Sequence, residues 1–171
     1  MNKGRKLLAV ITLLAFVAWL LFTVLSPGST SKPKKVKGQK EYVPPFRHDG
    51  NGVLISETGD TLAALELEFA KTMEAKEYGM MYRRNMKTNR GMLFFMGEMR
   101  FQSFWMKNTY VPLDIIYIDD QFSIVSIQKN ARPLNETSLP SEGPASYVLE
   151  INAGLSDKWG LKPGTKLSLY E

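Results

Sequence analysis

Charged and amide side chains interrupt a very apolar stretch at residues 104–116, where ligand-binding or catalytic chemistry is most readily placed. If residues 101–108 form an extended strand, successive side chains alternate between its two faces. Trp105 and Lys107 then lie on one face, and Asn108 lies on the other. An indole, an ammonium and an amide can recognise a ligand by stacking, charge and hydrogen bonding.

Two carboxylates stand inside segments that otherwise predict buried strands. Asp114 and Glu150 each interrupt a run of apolar residues. A buried carboxylate requires a cation or several hydrogen-bond donors, and Lys107, Arg83 or Arg84 could serve. Such groups form either structural pairs or the polar part of a ligand pocket. The candidate ligand-binding residues are therefore Arg83, Trp105, Lys107, Asn108, Asp114 and Glu150.

The composition excludes cysteine chemistry and limits histidine chemistry. The chain has no cysteine, so thiolate catalysis, disulfides and Cys-based metal sites cannot occur. Its one histidine, His48, lies in a polar segment before the first predicted strand, where no rigid scaffold would hold a general base. Seven methionines fall between residues 80 and 106. Thioethers suit Cu(I), but without His or Cys support we interpret them as core packing and expect no metal ion or cofactor.

The positive charge of the chain is concentrated at its N-terminal end. The formal net charge is +5, and residues 1–40 hold eight basic side chains and no acidic one. The remaining 131 residues hold 14 basic and 17 acidic side chains, a net charge of −3. Nucleic-acid binding requires a basic face on the folded part of a protein, so we do not expect it.

A hydrophobic segment near the N-terminus is long enough to cross a bilayer. Residues 7–25 contain only two threonines as polar interruptions, and a helix of that length spans about 28 Å. The segment is longer than a typical signal-peptide core and ends in bulky residues instead of a small-x-small cleavage site. We therefore predict an uncleaved transmembrane anchor over residues 1–25. The basic residues directly before the segment favour a cytoplasmic N-terminus and an extracytoplasmic domain.

The rest of the chain divides into a linker and one β-rich domain. Residues 26–49 are rich in Lys, Pro and Ser and predict a flexible linker. Over residues 50–171, short apolar runs separated by turn residues predict about eight short strands. Thr72 and Gly79 are the predicted N-terminal and C-terminal caps of one main helix. We therefore expect a mainly β domain behind the anchor.

Four blocks of the sequence resemble the domain of unknown function 192 (DUF192) family over about residues 61–169. They are residues 78–83, residues 90–95, residues 104–114, and residues 144–150 with Gly154 and Gly164. Gly79-Met80 stands where the family usually has Gly-Leu, a volume-conserving change. The resemblance implies a compact β-sandwich or jelly-roll-like fold, commonly behind a signal or anchor. It implies no reaction, cofactor or partner.

These features together predict a membrane-tethered extracytoplasmic binding or accessory module of the cell envelope, with a monomeric soluble domain. Its partners would be the membrane, through the N-terminal helix, and an envelope protein or small ligand. One alternative is an enzyme acting on envelope glycans, with Asp114 and Glu150 as its carboxylate pair; glycosidases hold these groups roughly 5–9.5 Å apart. Another alternative is a purely structural partner of another membrane protein.

Mass spectrometry of the mature protein and protease treatment of intact cells or spheroplasts test the predicted topology. An uncleaved anchor leaves residues 1–25 in the mature chain, and an outward-facing domain is digested before the cells are lysed. A mature N-terminus near Ser26, or a domain that resists protease until lysis, would contradict the prediction.

Overall fold

The computed structural model describes residues 43–170, together with the helical residues Phe16 and Trp19. The chain divides into Met1–Lys40 and Glu41–Glu171, and the elements below belong to the second unit. The predicted anchor over residues 1–25, apart from those two positions, and most of the predicted linker lie outside the described residues. Within the described part of the chain, no helix is both long and apolar enough to cross a membrane.

Nine strands and two short helices make up the described domain, so the mainly β prediction is confirmed. In chain order they are β1 (Gly50–Ile55), β2 (Thr61–Ala70), α1 (Met73–Tyr78), β3 (Arg90–Arg100), β4 (Ser103–Phe104), β5 (Leu113–Ile118), β6 (Ile124–Ala131), β7 (Leu139–Pro140), β8 (Ala145–Asn152), α2 (Leu155–Lys158) and β9 (Lys166–Tyr170). The helix between Thr72 and Gly79 is α1. Residues 101–108, predicted as a strand, are extended only over the two residues of β4.

Seven of these strands form one mixed sheet, and the other two, β4 and β7, pair with each other. The order in the large sheet is β6-β5-β8-β3-β2-β1-β9. Its strands pair antiparallel except for β2 and β3, which are parallel and are connected through α1. The two outermost strands also meet, because Ile124 N donates to Thr165 O and Leu167 N donates to Phe122 O, both at 2.8 Å. The large sheet is therefore curled and joined at its edges.

The sequence predicted a compact β-sandwich or jelly-roll-like domain, whereas the described residues form one large curled sheet and a two-stranded sheet. Short apolar runs separated by turn residues occur in both arrangements and do not distinguish them. Two features distinguish the curled sheet from a sandwich: the parallel pairing of β2 with β3 and the contact between β6 and β9. Both join parts of the chain that are distant in sequence.

The sheet has an apolar cluster on each face. The inner core collects side chains from all seven strands, as expected inside a curled sheet, and α2 adds to it. Its members are Leu54, Leu65, Leu67, Leu93, Ile116, Ile118, Ile124, Leu149, Ile151, Leu155, Leu161 and Leu167. The outer core lies on the opposite face under the connecting segments. Its members are Ala70, Met80, Met92, Phe94, Met106, Val111, Leu113, Ile115, Tyr117, Ala131, Ala145 and Val148.

The last residues of the predicted linker pack on the domain. Asp49 N donates to Leu67 O at 2.9 Å, and Asp49 Oδ2 accepts from Phe69 N at 2.9 Å. Arg47 Nη2 donates to Phe69 O at 2.9 Å. These bonds extend the pairing along β2 beyond the start of β1.

Asp114 lies on the inner face of the sheet, where its side chain caps the N-terminus of α2. The cap residue Gly154 offers no side-chain acceptor to this helix, and Asp114 supplies one from β5. Its Oδ2 accepts from Ser156 N at 2.9 Å and from Ser156 Oγ at 2.6 Å, and its Oδ1 accepts from Asn130 N at 2.8 Å. The fully buried carboxylate is therefore satisfied by backbone amides and a hydroxyl, which is the several-donor alternative of the sequence analysis. Arg83, one of the suggested cations, pairs with Glu68 instead.

Replacing Asp114 is expected to destabilise the domain strongly. Asp114→Ala leaves buried donors of Ser156 and Asn130 without an acceptor, so the free energy of unfolding should fall by about 3 kcal/mol or more. Ser156→Ala removes one of the three bonds and should cost about 1 kcal/mol. Urea unfolding of the full-length chain, followed by tryptophan fluorescence, measures both.

Asp120→Ala is the matched control, because Asp120 is exposed in the turn between β5 and β6. It should change the free energy of unfolding by no more than about 0.5 kcal/mol. An Asp114→Ala variant as stable as this control would show that the three hydrogen bonds do not hold α2 to the sheet.

Candidate functional site

A cavity of about 560 Å³ lies over the outer face of the sheet. We call it the Glu150 cavity, after the one residue of β8 in its wall. Its other walls come from α1 and the segment after it, from β3, and from residues 103–109. Most of the lining is aromatic and thioether surface, with polar groups at Glu150 and around the mouth. The apolar part consists of Met73, Tyr78, Gly79, Met80, Met81, Phe94, Met96, Phe104 and Trp105.

Glu150 reaches this face because side chains alternate along β8. In the sheet it is paired with Met92 of β3 on one side and with Ile115 of β5 on the other, both members of the outer core. It is only 4% exposed. Its Oε2 is buried and has no hydrogen-bond partner among the described residues, although the residue lines the cavity. The carboxyl group of Glu150 could thus form a hydrogen bond with a ligand.

Burial raises the pKa of Glu150 to about 8, against the opposing attraction of Arg83. Arg83 cannot neutralise Glu150 fully because it already forms a buried ion pair with Glu68. Both terminal nitrogens of Arg83 donate to the Glu68 carboxylate, the second at 3.0 Å. Two buried acids therefore share one guanidinium, and the carboxyl group of Glu150 is mostly protonated near pH 7.

The C-terminal end of α1 places one wall of the cavity. Thr72 Oγ1 accepts from Ala75 N at 3.2 Å, as predicted for the N-cap. Gly79 has φ 47° and ψ −130°, a conformation that residues with a Cβ rarely adopt. A Cβ at this position would also lie 3.2 Å from the Phe94 ring. Glycine thus lets the chain pass closely over β3 and carry Met80 and Met81 to the cavity.

Hydrogen bonds join the segment after α1 to the segment after β4. Asn108 O accepts from Tyr82 N at 2.8 Å, and Asn108 Nδ2 donates to Tyr82 Oη at 3.0 Å. Both residues have positive φ, 52° for Asn108 and 64° for Tyr82. Positive φ is uncommon outside glycine and is strained for an aromatic residue, and such strain is found most often at functional sites. Two sides of the cavity are thereby held together.

Trp105 and Lys107 lie at the mouth of the cavity. Lys107 Nζ is 5.0 Å from the centre of the Trp105 ring, within range of a cation–π interaction. Trp105 is 47% exposed, so its ring is available to a ligand entering the cavity. The predicted grouping of these two side chains is confirmed, although most of the strand predicted to cause it is absent.

The structure brings together four of the six predicted site residues, namely Trp105, Lys107, Asn108 and Glu150. Arg83 lies in the wall of a neighbouring cavity of about 770 Å³, where it is paired with Glu68. Asp114 is on the opposite face of the sheet, under α2, and does not line the cavity. Asp114 and Glu150 therefore do not face one groove, which opposes the glycosidase alternative.

The core packing predicted for the methionines between residues 80 and 106 is found for Met80, Met92 and Met106, with Met86 and Met96 packed against them. The sequence analysis did not predict that Met80, Met81 and Met96, together with Met73, also line the cavity. The density of methionines was a visible signal, because flexible thioethers are common at surfaces that adapt to ligands. Lys76, Arg100 and Glu68 were also missed, and nothing in their local sequence distinguishes them from solvated charges.

Comparisons with known proteins give one family match and two similar solved structures. Residues 54–169 match DUF192, described as "Uncharacterized ACR". A candidate transcription regulator from Sinorhizobium meliloti 1021, solved as a crystal structure, has 39% sequence identity to this chain and a TM-score of 0.69. The match covers 74% of this chain and 98% of that one. A protein of unknown function from Novosphingobium aromaticivorans DSM 12444 is 34% identical, with a TM-score of 0.66 and coverage of 77% and 99%. No curated protein matches the chain.

Stability should depend on pH through Glu150. Its pKa rises from 4.5 to about 8 on folding, so its stabilising contribution is full below pH 4.5 and is lost as the pH rises through 8. Between pH 5.5 and 9 the free energy of unfolding should fall, by at most about 1.4 kcal/mol per pH unit. Glu150→Gln resembles the protonated acid and should remove this fall.

Urea unfolding of the full-length chain across this pH range measures the effect, with Glu142→Gln as the control at an exposed position. Asp49 and Glu66, whose pKa values are lowered mainly by hydrogen bonds from Arg47 and Arg90, change stability only at more acidic pH. If the free energy of unfolding changes with pH in the same way for the wild type and Glu150→Gln, Glu150 is already ionised at neutral pH.

Proposed function

The chain belongs to the DUF192 family, and from the Glu150 cavity we propose that its folded domain is a binding module for a small, largely apolar molecule. The observation that carries this proposal is the unpartnered Oε2 of Glu150 in the cavity wall. A buried polar atom without a partner costs free energy, and a ligand that supplies the missing hydrogen bond recovers it. The protonated carboxyl group would donate to a hydroxyl or carbonyl oxygen at the inner end of the ligand.

The size and lining of the cavity support a small-molecule ligand. Its volume of about 560 Å³ falls within the range of ligand pockets, roughly 300–1,000 Å³. Its aromatic and thioether walls would contact an apolar body, and few polar groups are available to fix its orientation. The bonds between Tyr82 and Asn108 hold two of its sides in place before a ligand arrives.

Neither hydrolysis of glycans nor DNA binding receives comparable support. A glycosidase needs two carboxyl groups facing one groove, and Asp114 is committed to capping α2. The Sinorhizobium relative is described as a candidate transcription regulator. Direct DNA binding by this chain would need a basic face on its folded part, whereas residues 41–171 have a net charge of −3.

The membrane anchor and the envelope location belong to the same proposal. Their support is the apolar segment at residues 7–25 with basic residues on its N-terminal side. Residues 26–46, at polyproline spacing, would span about 65 Å at most. A tethered domain of this kind would bind its ligand close to the outer surface of the membrane, as an accessory module of the envelope.

A pair of probes that differ by one hydroxyl tests the binding function. The full-length chain in lipid nanodiscs should bind 4-ethylphenol roughly three- to tenfold more tightly than ethylbenzene, the value of one neutral hydrogen bond. Glu150→Gln should keep this preference, because its amide still donates, and Glu150→Leu should lose it. Ligand-observed NMR measures the affinities, with empty nanodiscs subtracting partition into lipid.

Glu142→Leu serves as the control, since this residue is exposed in the segment before β8. A hydroxyl preference that survives in Glu150→Leu would place the ligand elsewhere. If neither probe binds at millimolar concentration, the small-molecule proposal fails, and a structural role beside another membrane protein becomes the better reading.

A further inference from the structure

The mouth of the Glu150 cavity carries cations that the protein itself does not neutralise. Lys76 of α1, Arg100 at the end of β3 and Lys107 in the segment after β4 all line the cavity. None of the three forms an ion pair with a carboxylate of the described residues. They come from three separate elements around one opening, so no single helix or turn explains their presence together.

The acidic groups of the cavity do not balance these cations. Among the described residues, the carboxylates that line the cavity are Glu77 at the mouth, beside Lys76 on α1, and the deep and largely protonated Glu150. The mouth is therefore positive while the interior is apolar and nearly neutral. Charges at the entrance of a cavity with low-dielectric walls attract ions of the opposite sign.

We propose that the ligand is an amphipathic organic anion, with a carboxylate or a similar group at its outer end bound by Lys76, Arg100 and Lys107. This inference rests on the proposed binding function. The apolar body of the ligand lies among the methionine and aromatic side chains, and its inner oxygen meets Glu150. Trp105 holds the Lys107 ammonium beside the opening, where it can contact the anionic group. A cationic ligand would meet repulsion at the mouth, and a free metal ion would find only one ionised carboxylate.

A series of phenols with the same inner end and different outer charges tests this inference. The probes are 3-(4-hydroxyphenyl)propionate, 3-(4-hydroxyphenyl)propan-1-ol and 4-(3-aminopropyl)phenol, which are anionic, neutral and cationic at pH 7. The full-length chain in nanodiscs should bind the anion at least tenfold more tightly than the cation, with the alcohol between them. The affinity for the anion should fall as salt is added.

Two triple variants separate the cations at the mouth from the general charge of the domain. Replacing Lys76, Arg100 and Lys107 by Gln should bring the three affinities within about threefold of one another, because the affinity for the anion falls the most. Replacing Lys87, Lys158 and Lys166 by Gln removes the same charge from exposed positions outside the described cavities and should have no such effect.

The outcomes distinguish failure of this inference from failure of the binding function on which it rests. Equal binding of all three probes, or equal effects of the two triple variants, would overturn the anionic ligand and leave the binding module standing. Tightest binding of the cation would also overturn it and would make an ionised Glu150 the partner of an amine. Binding of none of the probes would overturn both.

Discussion

The central strands of this domain have to bury both of their faces, and the rest of the structure follows from that constraint. All six residues of β5 are buried, as are six of the eight residues of β8. The inner face is covered by the sheet itself as it curls and by α2. The outer face has no second large sheet to cover it, so α1 and the long connections around β4 and β7 must do so. These segments pack less completely than strands, and they leave the cavity.

Burial of the outer face also explains the charge arrangement. Glu68 and Glu150 lie on strands that flank β3, each paired with Met92 in the sheet. Arg83 comes from the covering segment, and its planar guanidinium binds the Glu68 carboxylate with two hydrogen bonds. The pKa of Glu150 is raised by burial, and the attraction of Arg83 only partly offsets this effect. The protonated acid at the cavity is thus a consequence of burial on the covered face of the sheet.

The same covering segments hold the cavity in shape. Gly79 lets the chain leave α1 close to the sheet, and the bonds between Tyr82 and Asn108, both in strained conformations, join the segment after α1 to the segment after β4. All four blocks of sequence by which the chain resembles DUF192 contribute residues to the wall: residues 78–81, Phe94, residues 104–109 and Glu150. The stretches that identify the family are therefore also those that build the candidate site.

Local sequence was sufficient for the elements that depend on neighbours along the chain. The short apolar runs between turn residues and the caps of α1 follow from side-chain patterning, side-chain capping and the backbone freedom of glycine, which act over a few residues. Asp114 and Glu150 show the limit, because each is an acid within an apolar strand and the two look alike in sequence. Tertiary structure put Asp114 under the N-terminus of α2 and Glu150 beside an arginine already paired with another acid. Hydrogen-bond partners and desolvation come from residues distant in the chain, and only folding determines them.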